Sequence, residues 1–132
     1  MKNVNEFLNE AGTFFLATCD GDQPKCRPLG LQLVIEGKQL FGVGNFKDVY
    51  KQLKADPKTE IVALKPNGDW LRLTGKAVFE TDPRYSEAAL ELMPNLKAVY
   101  NEQTGNKLMM FRLEDASARV IHVMGEGEKI DV

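Results

Sequence analysis

Thr13-Phe14-Phe15-Leu16-Ala17-Thr18, Asp20-Gly21-Asp22, the run 24–35, Glu36-Gly37-Lys38 and Gln39-Leu40-Phe41-Gly42-Val43 follow one another with no helical segment between them. The first, third and last of these are β-prone, and the other two are turn signals. A parallel pair of strands needs a crossover of a dozen or more residues, and none fits here. The stretch therefore predicts three sequence-adjacent antiparallel strands. Upstream, Val4, Phe7, Leu8 and Ala11 recur at i, i+3, i+4, i+7, which predicts an amphipathic helix over 3–10 ended by Gly12.

Downstream, the spacing predicts strands at 59–64 and 70–79, with Gly75 marking a bend or bulge. Two final strands are expected at Leu108–Leu113 and Ser117–Met124, followed by a mobile or partner-contacting tail, Gly125–Val132. A helix opened by Asn45 should stop near Asp56-Pro57. Asp82-Pro83 reads as an N-cap with proline at N1, opening a helix with Tyr85, Ala88, Ala89 and Leu92 as its apolar stripe. A short helical piece follows Pro94. The fold class is mainly β with short helices: an antiparallel barrel of about six to seven strands, one domain over residues 1–132.

The 132 residues, 43% hydrophobic and 27% charged, suffice for a real core. A net charge of -2 argues against wholesale binding of nucleic acid, so any anion site must come from local placement of Lys and Arg. No apolar run approaches the ~20 residues of a membrane helix, and the N-terminus lacks the apolar core of a signal peptide. A cytoplasmic protein with no membrane partner is expected. A two-residue loop at Gly21-Asp22 would set Cys26 opposite Ala17 rather than Cys19, so both thiols are expected reduced. Two Cys and the single His122 do not make a zinc site.

Three groups of residues could grip a ligand. In the first, Asn45 reads as an N-cap, with Asp48 completing an approximate capping box. Lys47, Lys51 and Lys54 share a face of that helix, so its N-terminus could hold a phosphate. The second is Lys25-Cys26-Arg27-Pro28-Leu29-Gly30. By alternation Arg27 points with Leu29, Leu31 and Leu33, either lying along the barrel rim or pairing with an anion, and Pro28 marks an edge or a break in pairing. The third is Trp70 with Arg72, on one face of a strand. No nucleophile–base pair stands out, and none of the scattered carboxylates pairs for acid–base work. Such a profile suits a protein whose cofactor carries the reaction.

These residues carry a resemblance. Phe14-Phe15-Leu16-Ala17-Thr18 with Asp20-Gly21 and Lys25-Cys26-Arg27-Pro28-Leu29-Gly30, then the Asn45–Leu53 segment before Asp56-Pro57, then Trp70-Leu71-Arg72-Leu73-Thr74-Gly75-Lys76-Ala77 resemble the pyridoxamine 5'-phosphate oxidase-like proteins with the FMN-binding split barrel. The closer resemblance is to small bacterial members, including those labelled nitroimidazole-resistance-like. The resemblance implies a homodimer with two FMN molecules at the subunit interface. It sets Arg27, Pro28, Leu29 and Gly30 beside the flavin and ribityl chain, and Asn45, Lys47 and Lys51 near the phosphate, with Trp70 and Arg72 on a strand that also lines the pocket. An oxidoreductase passing electrons through FMN, from NAD(P)H for instance, to a small-molecule acceptor is implied. A flavin-storage module, or a barrel holding a deazaflavin or haem, is the alternative. The chain has no counterpart of the C-terminal Trp- and Arg-bearing substrate segment of true pyridoxamine phosphate oxidases, so vitamin B6 oxidation is not expected. Phe46 stands where many relatives have Ser or Thr before the helix lysine.

Overall fold

The computed structural model describes residues 3–125 and 127–132. Helix α1 (Val4–Ala11) leads into strands β1 (Phe14–Asp20), β2 (Gln23–Leu29), β3 (Gln32–Ile35) and β4 (Lys38–Gly44). Helix α2 (Asp48–Ala55), strands β5 (Lys58–Leu64) and β6 (Trp70–Glu80), and helix α3 (Pro83–Leu92) follow. A 3-10 helix, Pro94–Ala98, precedes β7 (Leu108–Ile121) and β8 (Glu128–Ile130). The α1 boundaries have local causes: Asn3 Oδ1 accepts from Glu6 N–H at 3.0 Å, and Gly12 ends the helix at φ 83°.

Every strand pairing is antiparallel, in the order β2-β1-β5-β6-β7-β4-β3, with β8 alongside β7. The β1–β2 hairpin has the register expected from its Asp-Gly turn, with Ala17 opposite Cys26, and both cysteines are free. The run 24–35 is not one strand. It breaks at Gly30-Leu31, and its halves lie at opposite ends of the strand order. The expected three-stranded meander is therefore two hairpins, β1–β2 and β3–β4, joined covalently but not paired to each other. A bond from Gly42 N–H to Leu31 O at 3.3 Å ties the link to β4, and the Leu31 side chain packs in the same buried cluster as Leu40. The barrel is split at this point, and Pro28 indeed sits on an edge strand.

Other expectations change for similar long-range reasons. Leu108–Ile121 is one continuous strand, because its first part pairs with β4 and β6 together and its second part with β6 and β8. A bulge replaces the expected gap: the β6–β7 register shifts between Thr74 and Lys76, around Gly75. A Cβ on Gly75 would sit 3.0 Å from Leu113 Cβ and 3.2 Å from Glu114 O, so a side chain there would press these neighbours aside by a few tenths of an ångström. The tail contributes β8, with Ile130 buried in the core. The stripe of α3 is narrower than expected: Tyr85 and Ala89 are buried, while Leu92 is exposed.

The main core gathers Phe7 and Leu8 of α1, Leu53 of α2 and inward residues such as Phe14, Leu16, Phe41, Ile61, Leu71, Leu73 and Phe111. A second cluster, with Leu31, Leu40, Tyr85, Ala89, Leu108 and Met110, lies where α3 covers β3 and β7. Each fully buried Leu or Phe contributes about 1.5–3 kcal/mol. Together they hold a twisted sheet open along one seam.

Candidate functional site

That seam is a groove. One wall is β2, whose Lys25, Arg27 and Leu29 share a face at alternate positions, with Pro28 between them. The opposite wall is the end of β4, Gly42-Val43-Gly44. Lys47, Asp48, Val49 and Gln52, at the start of α2, close one side, and Tyr100 and Asp20 complete a lining that encloses about 540 Å³. Among the described residues β2 pairs only with β1, so its other edge keeps backbone N–H and C=O groups available.

Arg27 is fixed within this groove. Its Nη1 donates to Leu16 O at 3.1 Å and to Thr18 Oγ1 at 2.8 Å, and its Nη2 donates to Gln52 Oε1 at 2.8 Å. Thr18 Oγ1 donates to the same Gln52 oxygen at 2.6 Å. The network ties β2 to β1 and both to α2. It leaves Nε–H and one Nη2 proton of the guanidinium unassigned, and these can meet an anion. Burial lowers the Arg27 pKa from its ordinary value, while neighbouring Cys26 and Asp48 oppose that shift. An arginine stays charged in either case.

The start of α2 differs from the sequence expectation. Lys47 is the N-cap, with no side-chain hydrogen bond. Asn45 does not cap the helix, and no capping box forms with Asp48. Its backbone N–H donates to Lys107 O at 2.9 Å, and its Oδ1 accepts from Lys107 N–H at 3.0 Å. Asn45 thus extends the β4–β7 pairing, and this partner 62 residues away outcompetes the local helix. The result is a helix N-terminus without a side-chain cap, opening into the groove beside Lys47.

Of the sequence candidates, Arg27, Pro28, Leu29 and Lys47 meet in the groove. Gly30 is exposed in the link between β2 and β3. Lys51 lines a neighbouring hollow with Cys19, Asp20 and Asp56. Leu31 and Leu33 lie beyond the break and pack in the second core cluster, away from Arg27. Trp70 and Arg72 lie on the outer face of β6, where the Arg72 guanidinium stacks 4.9 Å from the Trp70 ring and its Nε approaches Glu60 at 3.6 Å. Pro28, Phe15, Val62 and Arg72 are in register across β2, β1, β5 and β6. At about 4.8 Å per strand, Arg72 is roughly 14 Å from the groove edge.

A family model described as pyridoxamine 5'-phosphate oxidase matches residues 1–123. The chain belongs to the pyridoxamine 5'-phosphate oxidase family. Among solved structures, a NimC/NimA family protein from Clostridium acetobutylicum is 35% identical, with a TM-score of 0.88 over 97% of this chain and 89% of that one. A heme binding protein from Mycobacterium smegmatis is 18% identical, with a TM-score of 0.72 over 95% of this chain and 55% of its own. A FAD-binding protein from Mesorhizobium loti is 12% identical, with a TM-score of 0.62 over 88% of this chain and 91% of its own. The last two share the fold. No curated protein matches the chain. Among the described residues, no helix is long and apolar enough to cross a membrane.

In this pyridoxamine 5'-phosphate oxidase family member, the groove also contains residues that the sequence alone does not single out. Lys25 is not one of them, since it stands in the second sequence group and shares the face of Arg27 by alternation. Gln52 reads as one more exposed helix residue, and Tyr100 lies in a loop with no motif. Only the long-range strand pairings bring these two to β2.

Proposed function

We propose that this protein binds flavin mononucleotide in the split-barrel groove and uses it to pass electrons to a small-molecule acceptor. The observation that carries this reading is the convergence of Lys25, Arg27, Lys47 and the uncapped start of α2 on one groove. The fit is chemically reasonable. About 540 Å³ lies in the range of cofactor pockets, and Leu29, Val43 and Val49 supply apolar wall. The three cations outnumber the two carboxylates, Asp20 and Asp48, so a phosphate is favoured over a neutral ligand. Lys47, Lys25 and the spare Arg27 donors would hold the phosphate, and the open β2 edge would meet the polar rim of the ring. When bound, the flavin supplies the hydride and electron transfer. Of the side-chain types that ligate haem iron, the lining holds Tyr100 and no His, Cys or Met.

A homodimer belongs to the same proposal. The outer face of β1, β5 and β6 exposes Phe15 (42%) and Leu64 (58%), with Val62 and Trp70 beside them. This patch runs in register from Pro28 at the groove. A second copy on the patch would cover it and give the open groove another wall. It would also bring Trp70 and Arg72 to a groove they cannot reach within their own chain.

The test is the visible spectrum of the purified protein after FMN addition and desalting, with light scattering in parallel. Absence of retained flavin bands would sink the cofactor assignment. A monomer at micromolar concentration would sink the dimer. Reduction of the bound flavin by NAD(P)H and reoxidation by acceptors, followed by stopped flow, separates an oxidoreductase from a flavin carrier that does not turn over.

A further inference from the structure

Tyr100 lines the groove, and it also lines a second cavity of about 530 Å³ between α3, the loop 99–107 and the start of β7. Among the described residues no other lines both. Its backbone is anchored by a bond from its N–H to Leu96 O at 3.0 Å, and its ring packs 6.2 Å from that of Phe46. Gly44 makes room for it: a Cβ there would sit 2.7 Å from Tyr100 Oη and 2.9 Å from Phe46 Cε1. Yet the half-buried phenol has no hydrogen-bond partner among the described residues. The contrast with Tyr85 is direct, since that hydroxyl accepts from Lys38 Nζ at 3.1 Å and Arg84 Nη2 at 2.9 Å. Partial burial also pushes the Tyr100 pKa up, so the group keeps its proton and remains a donor.

We propose that Tyr100 is a ligand-positioning residue: its phenol donates a hydrogen bond to a polar atom of the ligand in the groove, and its ring is the partition between the groove and the second cavity. The inference rests on the flavin reading above. It explains why a phenol with a donor to spare sits where an apolar ring would fill the space without leaving a polar group unmatched.

The experiment uses the full chain, FMN and Tyr100→Phe, with tyrosine labelled by carbon-13 at Cζ. The protein has three tyrosines, so the resonance lost in Tyr100→Phe identifies Tyr100. We expect that resonance to move on FMN addition while those of Tyr50 and Tyr85 hold. Tyr100→Phe should bind FMN about five- to tenfold more weakly, with an unchanged urea midpoint for the free protein. Gly44→Ala, which forces the phenol aside, should shift the Tyr100 resonance in the free protein and weaken FMN as well. An unmoved Tyr100 resonance at saturating FMN, or unchanged affinity in Tyr100→Phe, overturns this inference alone. Failure of the unaltered protein to bind FMN overturns it together with the flavin reading.

Discussion

Gln52 is where fold stability and ligand binding separate by sign. Its Oε1 accepts from both Arg27 and Thr18, at 2.8 and 2.6 Å, so Gln52→Leu keeps the size but removes the acceptor of two bonds. One bond has a charged donor and one a neutral donor. Because Arg27 is half-buried and water can partly replace the lost partner, the cost should be about 1–3 kcal/mol. For a chain of this size that lowers the melting temperature by roughly 3–12 °C. Gln52→Glu instead keeps the geometry and makes the Arg27 contact an ion pair, opposed by a repulsion from Asp48 four residues earlier on the same helix. The free protein should then keep its stability to within about 1 kcal/mol. FMN affinity should fall tenfold or more, since a new carboxylate shares the groove with the phosphate, within a Debye length of about 8 Å at physiological salt. Urea denaturation of the free protein and flavin fluorescence titrations at low and high salt measure both quantities. A wild-type urea midpoint for Gln52→Leu, or tighter FMN binding by Gln52→Glu, refutes the reasoning.

Three further outcomes are expected. Lys47→Ala should weaken FMN by about 1–2 kcal/mol, and Lys51→Ala by clearly less, because only Lys47 lines the groove; equal losses in fluorescence titration would show that the phosphate lies toward the Lys51 hollow. Gly75→Ala should destabilise by about 1–3 kcal/mol, since its methyl would press on Leu113 Cβ and the Glu114 carbonyl, and an unchanged urea midpoint would contradict the bulge. The Asp69 carboxyl is held below its ordinary pKa, chiefly by its hydrogen bond with His122. A carboxyl depressed in the fold contributes stability that is present above its unfolded pKa and lost as pH falls through its folded one. Asp69→Asn should therefore flatten the acid limb of the stability curve below about pH 4, and an unaltered limb in urea titrations at stepped pH would count against it.

Local chemistry was the legible part of this chain. The Asp-Gly turn gave the β1–β2 register, Gly12 ended α1, Asp82-Pro83 opened α3, and Gly75 marked the bulge. Each of those signals acts over a few residues. What was misread depends on distant partners. Nothing within residues 24–35 says that Leu29 and Gln32 belong to opposite ends of the strand order, because that follows from β7 pairing with both β4 and β6. Asn45 has the chemistry of a cap, but Lys107 claims it. The groove is legible on its β2 wall, where alternation aligns Lys25, Arg27 and Leu29, and illegible at Gln52 and Tyr100, which reach it only after long-range closure.

The same strand governs how the chain must assemble. β7 binds β4, β6 and β8, yet it begins at Leu108, so both hairpins and the first two helices leave the ribosome before the strand that joins them exists. Until then β4 and β6 each carry an open edge, and the β3–β4 hairpin has no place in a sheet. Folding is therefore closed late, by about the C-terminal fifth of the chain, at the high contact order that makes β-sheet proteins slow. A nascent chain stalled before Leu108 is a pair of unsatisfied sheet edges, the form most exposed to aggregation.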